Sequence, residues 1–394
     1  MKRIGIYGGT FNPPHVGHIR AANYAITDLC LDRLLAIPSY ISPHKEIPEG
    51  SPTPEQRLQM LQLSFSNTPL VQVLDVELQR GGSSYTYETV LQLKKEYPDT
   101  ELVLFMGTDM FLSFDTWRNP EKIIENASLG VFYRGQRDEV RAVAQQKEIW
   151  EKKGAKVYLL ENPVTEISST DLRRMLIFGC ADEFLDPAVL RYIKENGLYG
   201  TGRSYKKLTE TELEQIVVSL LKPNRIAHVR GCRDTAAQLA ARWGADETDA
   251  RRAALLHDIT KALDGPLQLT LCKAYGIILD NFFKENTKVL HALTGSLVAQ
   301  RVFGENEAVV SAIRSHTTGK ADMNALEKII YVADYMEPNR DFAGVEVLRE
   351  AAYTDLNKAL RLGLEMTLAM LLKEGKTVSS GTQEALQWLV QYEK

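Results

Sequence analysis

Cysteine is scarce, with four in 394 residues at positions 30, 180, 232 and 272 and no C-x-x-C pair among them. That scatter argues against a disulfide framework and against a structural zinc site, and leaves free, mostly buried thiols. Long apolar runs are also missing. No window approaches the roughly 18 apolar residues of a membrane span, and the N-terminus enters a charged, strand-like segment without an apolar signal core. A cytoplasmic protein with no membrane partner is expected. Neither charge sign dominates: 47 Lys and Arg stand against 51 Asp and Glu, a formal charge of −4, and no Lys/Arg run stands out, so nucleic acid is not favoured as a partner. Internal repeats and low-complexity segments are absent too. What remains is ordinary globular composition, 44% hydrophobic and 25% charged, at a length that makes two domains the default.

The pattern along the chain changes once. Up to about residue 197, the short apolar runs "RIGIYG", "RLLAIP", "VQVLDV", "ELVLFMG", "SLGVFYR" and "KVYLL" alternate with helical segments, which predicts a mostly parallel, doubly wound α/β domain over residues 1–200. A Gly-rich and basic stretch follows, with a linker expected at 201–208. Thr209 and Glu212 then make a capping box, and nearly everything over 209–394 reads as helix, an all-α domain.

The first strand runs into "GGTFNPPHVGH", residues 8–18, and apolar residues at helical spacing follow over 17–29. A loop at the carboxyl end of a strand that opens a helix offers backbone N–H groups and the helix dipole to an anion, and Gly8 and Gly9 let the backbone come close to it. The loop has neither the G-K-[ST] ending of a Walker loop nor G-x-G-x-x-G. Thr10 and Phe11 complete its ligand-facing part. His15 and His18 can donate hydrogen bonds where charge develops during attack on a phosphorus. In "ISSTDLRR", Ser169 and Thr170 would open a helix with Arg173 one turn in, so hydroxyls and guanidinium can meet phosphate oxygens, although a plain N-cap is the simpler role for either hydroxyl.

These segments resemble the nucleotidyltransferases with H-x-G-H and I-S-S-T-x-x-R signatures. With "PSYISPHK" ending at Lys45, "SSYTYETV" around Thr86, "MGTDMF" with Gly107 and Asp109, "FDTW" ending at Trp117 and "VFYR" ending at Arg134, the first 200 residues resemble nicotinate mononucleotide adenylyltransferase. The resemblance implies a Rossmann-like fold and transfer of AMP from ATP to nicotinate mononucleotide with Mg²⁺, giving deamido-NAD and pyrophosphate. It implies Thr86 and Trp117 at the pyridine ring, Asp109 in the nucleotide pocket, and Lys45 near the phosphates, with Gly107 and Arg134 as further substrate-binding positions. A turn threonine, a core tryptophan, a helix-capping aspartate and a solvated lysine are the plainer roles for Thr86, Trp117, Asp109 and Lys45. Phosphopantetheine adenylyltransferase shares H-x-G-H, but "SSYTYET" and "FDTW" count against it.

Four of the seven histidines fall in the helical half: His228, His257, His291 and His316. With Asp258 and Asp334 they lie within or at the ends of apolar helical runs, where an unpaired polar side chain is costly to bury. Imidazole and carboxylate donors suit Fe or Mn, and six side chains exceed what one catalytic ion with open positions needs. The order H, HD, H, H, D resembles the HD-domain metallophosphohydrolases, and that resemblance implies two divalent ions with Asp258 bridging them. Lys261 and Arg340 could bind phosphate, or could be ordinary solvated or salt-bridged residues. "ALLHDITK", "AIRSHTTG" and "KIIYVADYMEPNR" resemble the HD-type symmetrical dinucleoside tetraphosphatases, which implies diadenosine tetraphosphate as substrate and two ADP as product. A broader nucleotide phosphatase, a nucleotide-sensing domain that has lost catalysis and an oligomerisation scaffold are the alternatives. Self-association is left open.

Overall fold

Six apolar runs become one six-stranded sheet: β1 (Arg3–Gly9), β2 (Arg33–Pro38), β3 (Val71–Val73), β4 (Glu101–Gly107), β5 (Ser128–Tyr133) and β6 (Val157–Glu161). The order is β3-β2-β1-β4-β5-β6 and every neighbouring pair is parallel. The coordinates are a computed structural model describing residues 2–43, 48, 50–133, 137–161 and 167–392. Contacts divide the chain into two units, Met1–Arg203 and Ser204–Lys394.

Side chains along the strands alternate between two cores. Ile4, Ile6, Leu35, Ile37, Leu102 and Leu104 join one, with Val90 and Leu93 from the helix Thr86–Glu96. Leu34, Ala36, Val103 and Phe105 join the other, with Ala22 and Ala25 from the helix Val16–Asp28. Burial on both faces makes these strands read as unbroken apolar runs, the mark of a doubly wound parallel sheet. The run at 71–76 is the exception. Only Val71–Val73 is strand; Leu74 N–H still donates to the Ala36 carbonyl, but Asp75 then opens the short helix Val76–Arg80.

The strand order reverses direction between β1 and β4. Loops leaving the carboxyl ends of strands at such a switch point frame a crevice, so the segments after Gly9 and after Gly107 are brought to one place.

The second unit is helical, with no strand among the described residues. Its first long helix, Glu210–Leu220, starts at the capping box foreseen from the sequence: the Thr209 hydroxyl accepts from Glu212 N–H, and the Glu212 carboxylate accepts from Thr209 N–H. Within the expected linker, Tyr205 and Leu208 are buried, and the Tyr205 ring meets Phe303 edge to face. No helix among the described residues is long and apolar enough to cross a membrane.

Candidate active site and candidate metal centre

In the first unit, the β1 loop is held by distant side chains. Arg173 Nη1 donates to the Asn12 carbonyl at 2.8 Å and Nη2 to Thr170 Oγ1 at 3.0 Å, while the Ser169 hydroxyl donates to the Pro13 carbonyl at 3.3 Å. The two segments singled out in sequence, 156 or more residues apart, therefore meet. The N-cap of the helix Ser169–Ile177 is Ser168, whose hydroxyl accepts from Asp171 N–H. Ser169 and Thr170 occupy its first turn instead of capping it.

His15 caps the helix Val16–Asp28, and its N–H donates to His18 Nδ1 at 3.1 Å. With Nδ1 accepting there, a His18 ring carrying one proton has it on Nε2. The two rings lie 3.7 Å apart, and burial pushes His15 down to about 4, so it is neutral near pH 7. His15 Nδ1 is buried with no hydrogen-bond partner among the described residues. Such an orphan costs about 1–3 kcal/mol unless a ligand satisfies it, and a phosphate oxygen fits. A Cβ at Gly9 would lie 3.3 Å from the Phe11 ring, whereas one at Gly8 would meet nothing within 4 Å, so Gly9 is needed for packing and Gly8 leaves open space over the backbone.

The remaining positions spread along the carboxyl ends of the strands. Gly107 ends β4, Asp109 is exposed in the first turn of the helix Thr108–Leu112, and Thr86 is half-buried at the start of its helix. Trp117 packs against the core and meets Phe114 edge to face at 5.2 Å, so its plainer role is present in the structure. Lys45 and Arg134 lie outside the described residues.

In the second unit, six side chains converge from five helical segments. His228 projects from Pro223–Trp243 and Asp334 from Ala325–Met336; His257 and His316 end Glu247–Leu256 and Glu307–Ser315; His291 opens Leu290–Val298. Asp258 lies between two groups. Its Oδ2 is 3.6 Å from His257 Nε2 and 3.9 Å from His228 Nε2; its Oδ1 is 3.3 Å from His291 Nε2 and 3.9 Å from His316 Nε2. On the first side, His228 Nε2 is also 3.1 Å from Asp334 Oδ1 and 3.3 Å from His257 Nε2; on the second, His291 and His316 Nε2 are 3.2 Å apart.

These distances fit a metal. Two nitrogens on one ion with bonds of about 2.1 Å stand about 3.0–3.4 Å apart at tetrahedral or octahedral angles. All four Nδ1 atoms face acceptors: the carbonyls of Ala254, Lys288 and Ile313 for His257, His291 and His316 at 2.6, 2.8 and 2.7 Å, and Glu337 Oε1 for His228 at 3.1 Å. Each Nδ1 therefore donates, and each Nε2 lone pair is turned inward, the tautomer a metal ligand requires. Burial pushes His291 to about 4 and His316 to about 3, and lowers His257. These three imidazoles are ready to ligate without first losing protons. Burial alone would raise both aspartates, but His257, Lys261 and His291 around Asp258, and His228, His257 and Arg340 around Asp334, hold both carboxyls well below their ordinary value.

Three cations border the aspartates. Arg340 Nη2 is 2.6 Å from Asp334 Oδ1, Lys261 Nζ is 2.9 Å from His291 Nε2 and 3.9 Å from Asp258 Oδ1, and Arg225 contacts Asp258 Oδ2. Arg225 and Glu337 escape sequence reasoning. One signal for Glu337 existed: Gly231 lies inside a long helix, where glycine costs about 1 kcal/mol against alanine, and a Cβ there would come within 2.3 Å of Glu337 Oε2. Removing the acceptor behind a metal-ligating histidine typically weakens metal binding about 10–100-fold. Glu337→Ala should show that loss in a competitive chelator titration, and an unchanged affinity would mean that Glu337 does not orient His228.

Fold and site define an α/β nucleotidyltransferase-like domain followed by a helical HD domain. The cytidylyltransferase-like family profile matches residues 6–175, and the HD domain profile residues 225–339. The probable nicotinate-nucleotide adenylyltransferase of Lachnoclostridium phytofermentans is 35% identical over 200 residues, 50% of this chain and 100% of that protein. Its counterpart in Dictyoglomus thermophilum is 37% identical over 198 residues, 50% of this chain and 99% of that protein. Through its N-terminal half the chain belongs to the nicotinate-nucleotide adenylyltransferase family. A crystal structure from Clostridium acetobutylicum, described as a predicted HD superfamily hydrolase involved in NAD metabolism, is 38% identical over 47% of this chain and 98% of its own, with a TM-score of 0.46.

Proposed function

We propose that the chain is a bifunctional enzyme. Its first unit transfers AMP from ATP to nicotinate mononucleotide, giving deamido-NAD and pyrophosphate in NAD biosynthesis, with Mg²⁺ accompanying the nucleotide. The meeting of the H-x-G-H loop with Ser169, Thr170 and Arg173 supports this reading most directly. The mononucleotide phosphate attacks the α-phosphorus, an oxygen–phosphorus bond forms as the bond to pyrophosphate breaks, and charge grows on the non-bridging oxygens and on the leaving group. His18 Nε2–H, the orphaned face of His15 and the Arg173 guanidinium are the donors for that charge.

The second unit is read as a phosphohydrolase that cuts diadenosine tetraphosphate into two ADP. The observation that carries it is the placement of Asp258, with one carboxylate oxygen toward each histidine group. His228, His257, Asp334 and Asp258 would hold one divalent ion, and His291, His316 and Asp258 a second, Fe or Mn by the donor set. Such a pair, when bound, supplies a water acidic enough to be a nucleophile near neutral pH. Lys261 and Arg340, joined by Arg225, line the same side chains and suit the phosphate chain of the substrate.

Product analysis on the full chain and on fragments 1–200 and 205–394 tests both halves, since each unit has its own core. Fragment 1–200 should make deamido-NAD, and fragment 205–394, which keeps Tyr205, should release ADP alone. A mixture of AMP and ATP would place attack at an outer phosphate and overturn the symmetrical assignment. Hydrolysis of many unrelated nucleotides at similar rates would favour a broad phosphatase, and no hydrolysis in a metal-loaded chain would favour a sensor. If both fragments fail to fold, the units are interdependent.

A further inference from the structure

Arg57 lies in the helix Pro54–Ser64 and is 0% exposed. Its guanidinium donates to two backbone carbonyls, Thr10 O at 2.8 Å and Tyr40 O at 3.0 Å, its Nε has no hydrogen-bond partner, and no ion pair accompanies it among the described residues. Burying an uncompensated cation is costly, and an apolar side chain would fill the same space at less expense to folding. The compensation has to lie in what the guanidinium holds.

It ties the segment after β2, through Tyr40, to one peptide of the β1 loop. The Thr10–Phe11 bond is trans, so fixing the Thr10 carbonyl on Arg57 turns the Phe11 N–H to the opposite side. That N–H donates to no other group among the described residues. Phe11 has φ 46°, a left-handed conformation unfavourable for an aromatic residue, and its ring is buried edge to face against Tyr7 and His18. Strain of this kind persists only where surrounding contacts enforce it, and it gathers at functional sites. Arg57 clamps the peptide on one side and the ring packing clamps it on the other. Between them stands an unused N–H donor next to His18.

We infer that Arg57 is a positioning residue for nucleotidyl transfer: it locks the Thr10–Phe11 peptide so that the Phe11 N–H meets a phosphate oxygen of the nucleotide, and its unpaired charge strengthens that donor. The inference rests on reading the first unit as an adenylyltransferase. A backbone donor fixed in advance costs no reorganisation as charge develops, and a misplacement of about 1 Å can lower a rate on the order of a hundredfold.

The test uses the full chain with ATP and nicotinate mononucleotide. Arg57→Met should lower kcat on the order of a hundredfold while KM for the mononucleotide stays within about threefold. Arg57→Lys keeps the charge but cannot fork to both carbonyls, so it should lose at least about tenfold in kcat. In Arg57→Ala, millimolar guanidinium should restore part of the rate where equal sodium chloride does not. Circular dichroism and resistance to limited proteolysis of fragment 1–200 carrying each substitution serve as the folding control, since the second unit has its own core. A kcat within about threefold of wild type for folded Arg57→Lys, or no guanidinium rescue in folded Arg57→Ala, would overturn the inference. A wild-type chain that makes no dinucleotide would instead sink the adenylyltransferase reading, a distinct result.

Discussion

Asp258→Ala is expected to abolish hydrolysis and to bring the metal content of the second unit close to zero, whereas His291→Ala or His316→Ala should mainly weaken one of two ions. The asymmetry follows from geometry. Asp258 puts one oxygen toward each group, Oδ2 toward His228 and His257 and Oδ1 toward His291 and His316, whereas each histidine offers a single nitrogen, that of His257 also lying near His316. Losing the shared carboxylate removes a negative ligand from both sites at once; losing one imidazole leaves the opposite group of His228, His257, Asp258 and Asp334 whole. Metal analysis of the three purified variants beside their ADP release checks this. One metal per fully active wild-type chain would defeat the two-ion reading, and His291 and His316 would become substrate-binding or core histidines.

His18→Ala should lower adenylyl transfer on the order of a hundredfold or more, comparable to removing one oxyanion donor, and should leave hydrolysis intact. The His15 N–H bond to His18 Nδ1 sets the tautomer that makes Nε2 a donor, so the variant loses a proton aimed by the backbone as well as a ring. Near-normal dinucleotide synthesis by the folded variant would remove His18 from catalysis. The comparison belongs above pH 6.5. His15 falls to about 4 in the folded chain from an ordinary 6.5, so the unfolded chain binds a proton that the folded one refuses between those values. Its contribution to stability is complete above pH 6.5 and drains away as pH falls toward 4.

Strands with both faces buried were legible because their interior residues are almost all apolar, and β3 was overread because Asp75 opens the helix Val76–Arg80 within a run whose apolar residues look continuous. The six metal-type side chains were legible for the opposite reason: polar groups in apolar helices have few explanations. Arg57 was not. In "TPEQRLQML" it reads as the wet face of a helix, and only the sheet and the β1 loop lying over it make it a buried cation. Glu337 and Arg225 were hidden likewise, because charged residues near helix ends are common and their targets lie 109 and 33 residues away in sequence.

Three of the four metal-facing imidazoles are tethered to a carbonyl three residues earlier in the chain. Once the local backbone has formed, each ring is already turned, so the centre is a socket completed by folding, unlike small zinc modules whose chains collapse only around the ion. Stripping the metals and returning them becomes a change of contents. On the proposed reading, the second unit would stay folded when stripped of metal and would regain hydrolysis when the metal is returned.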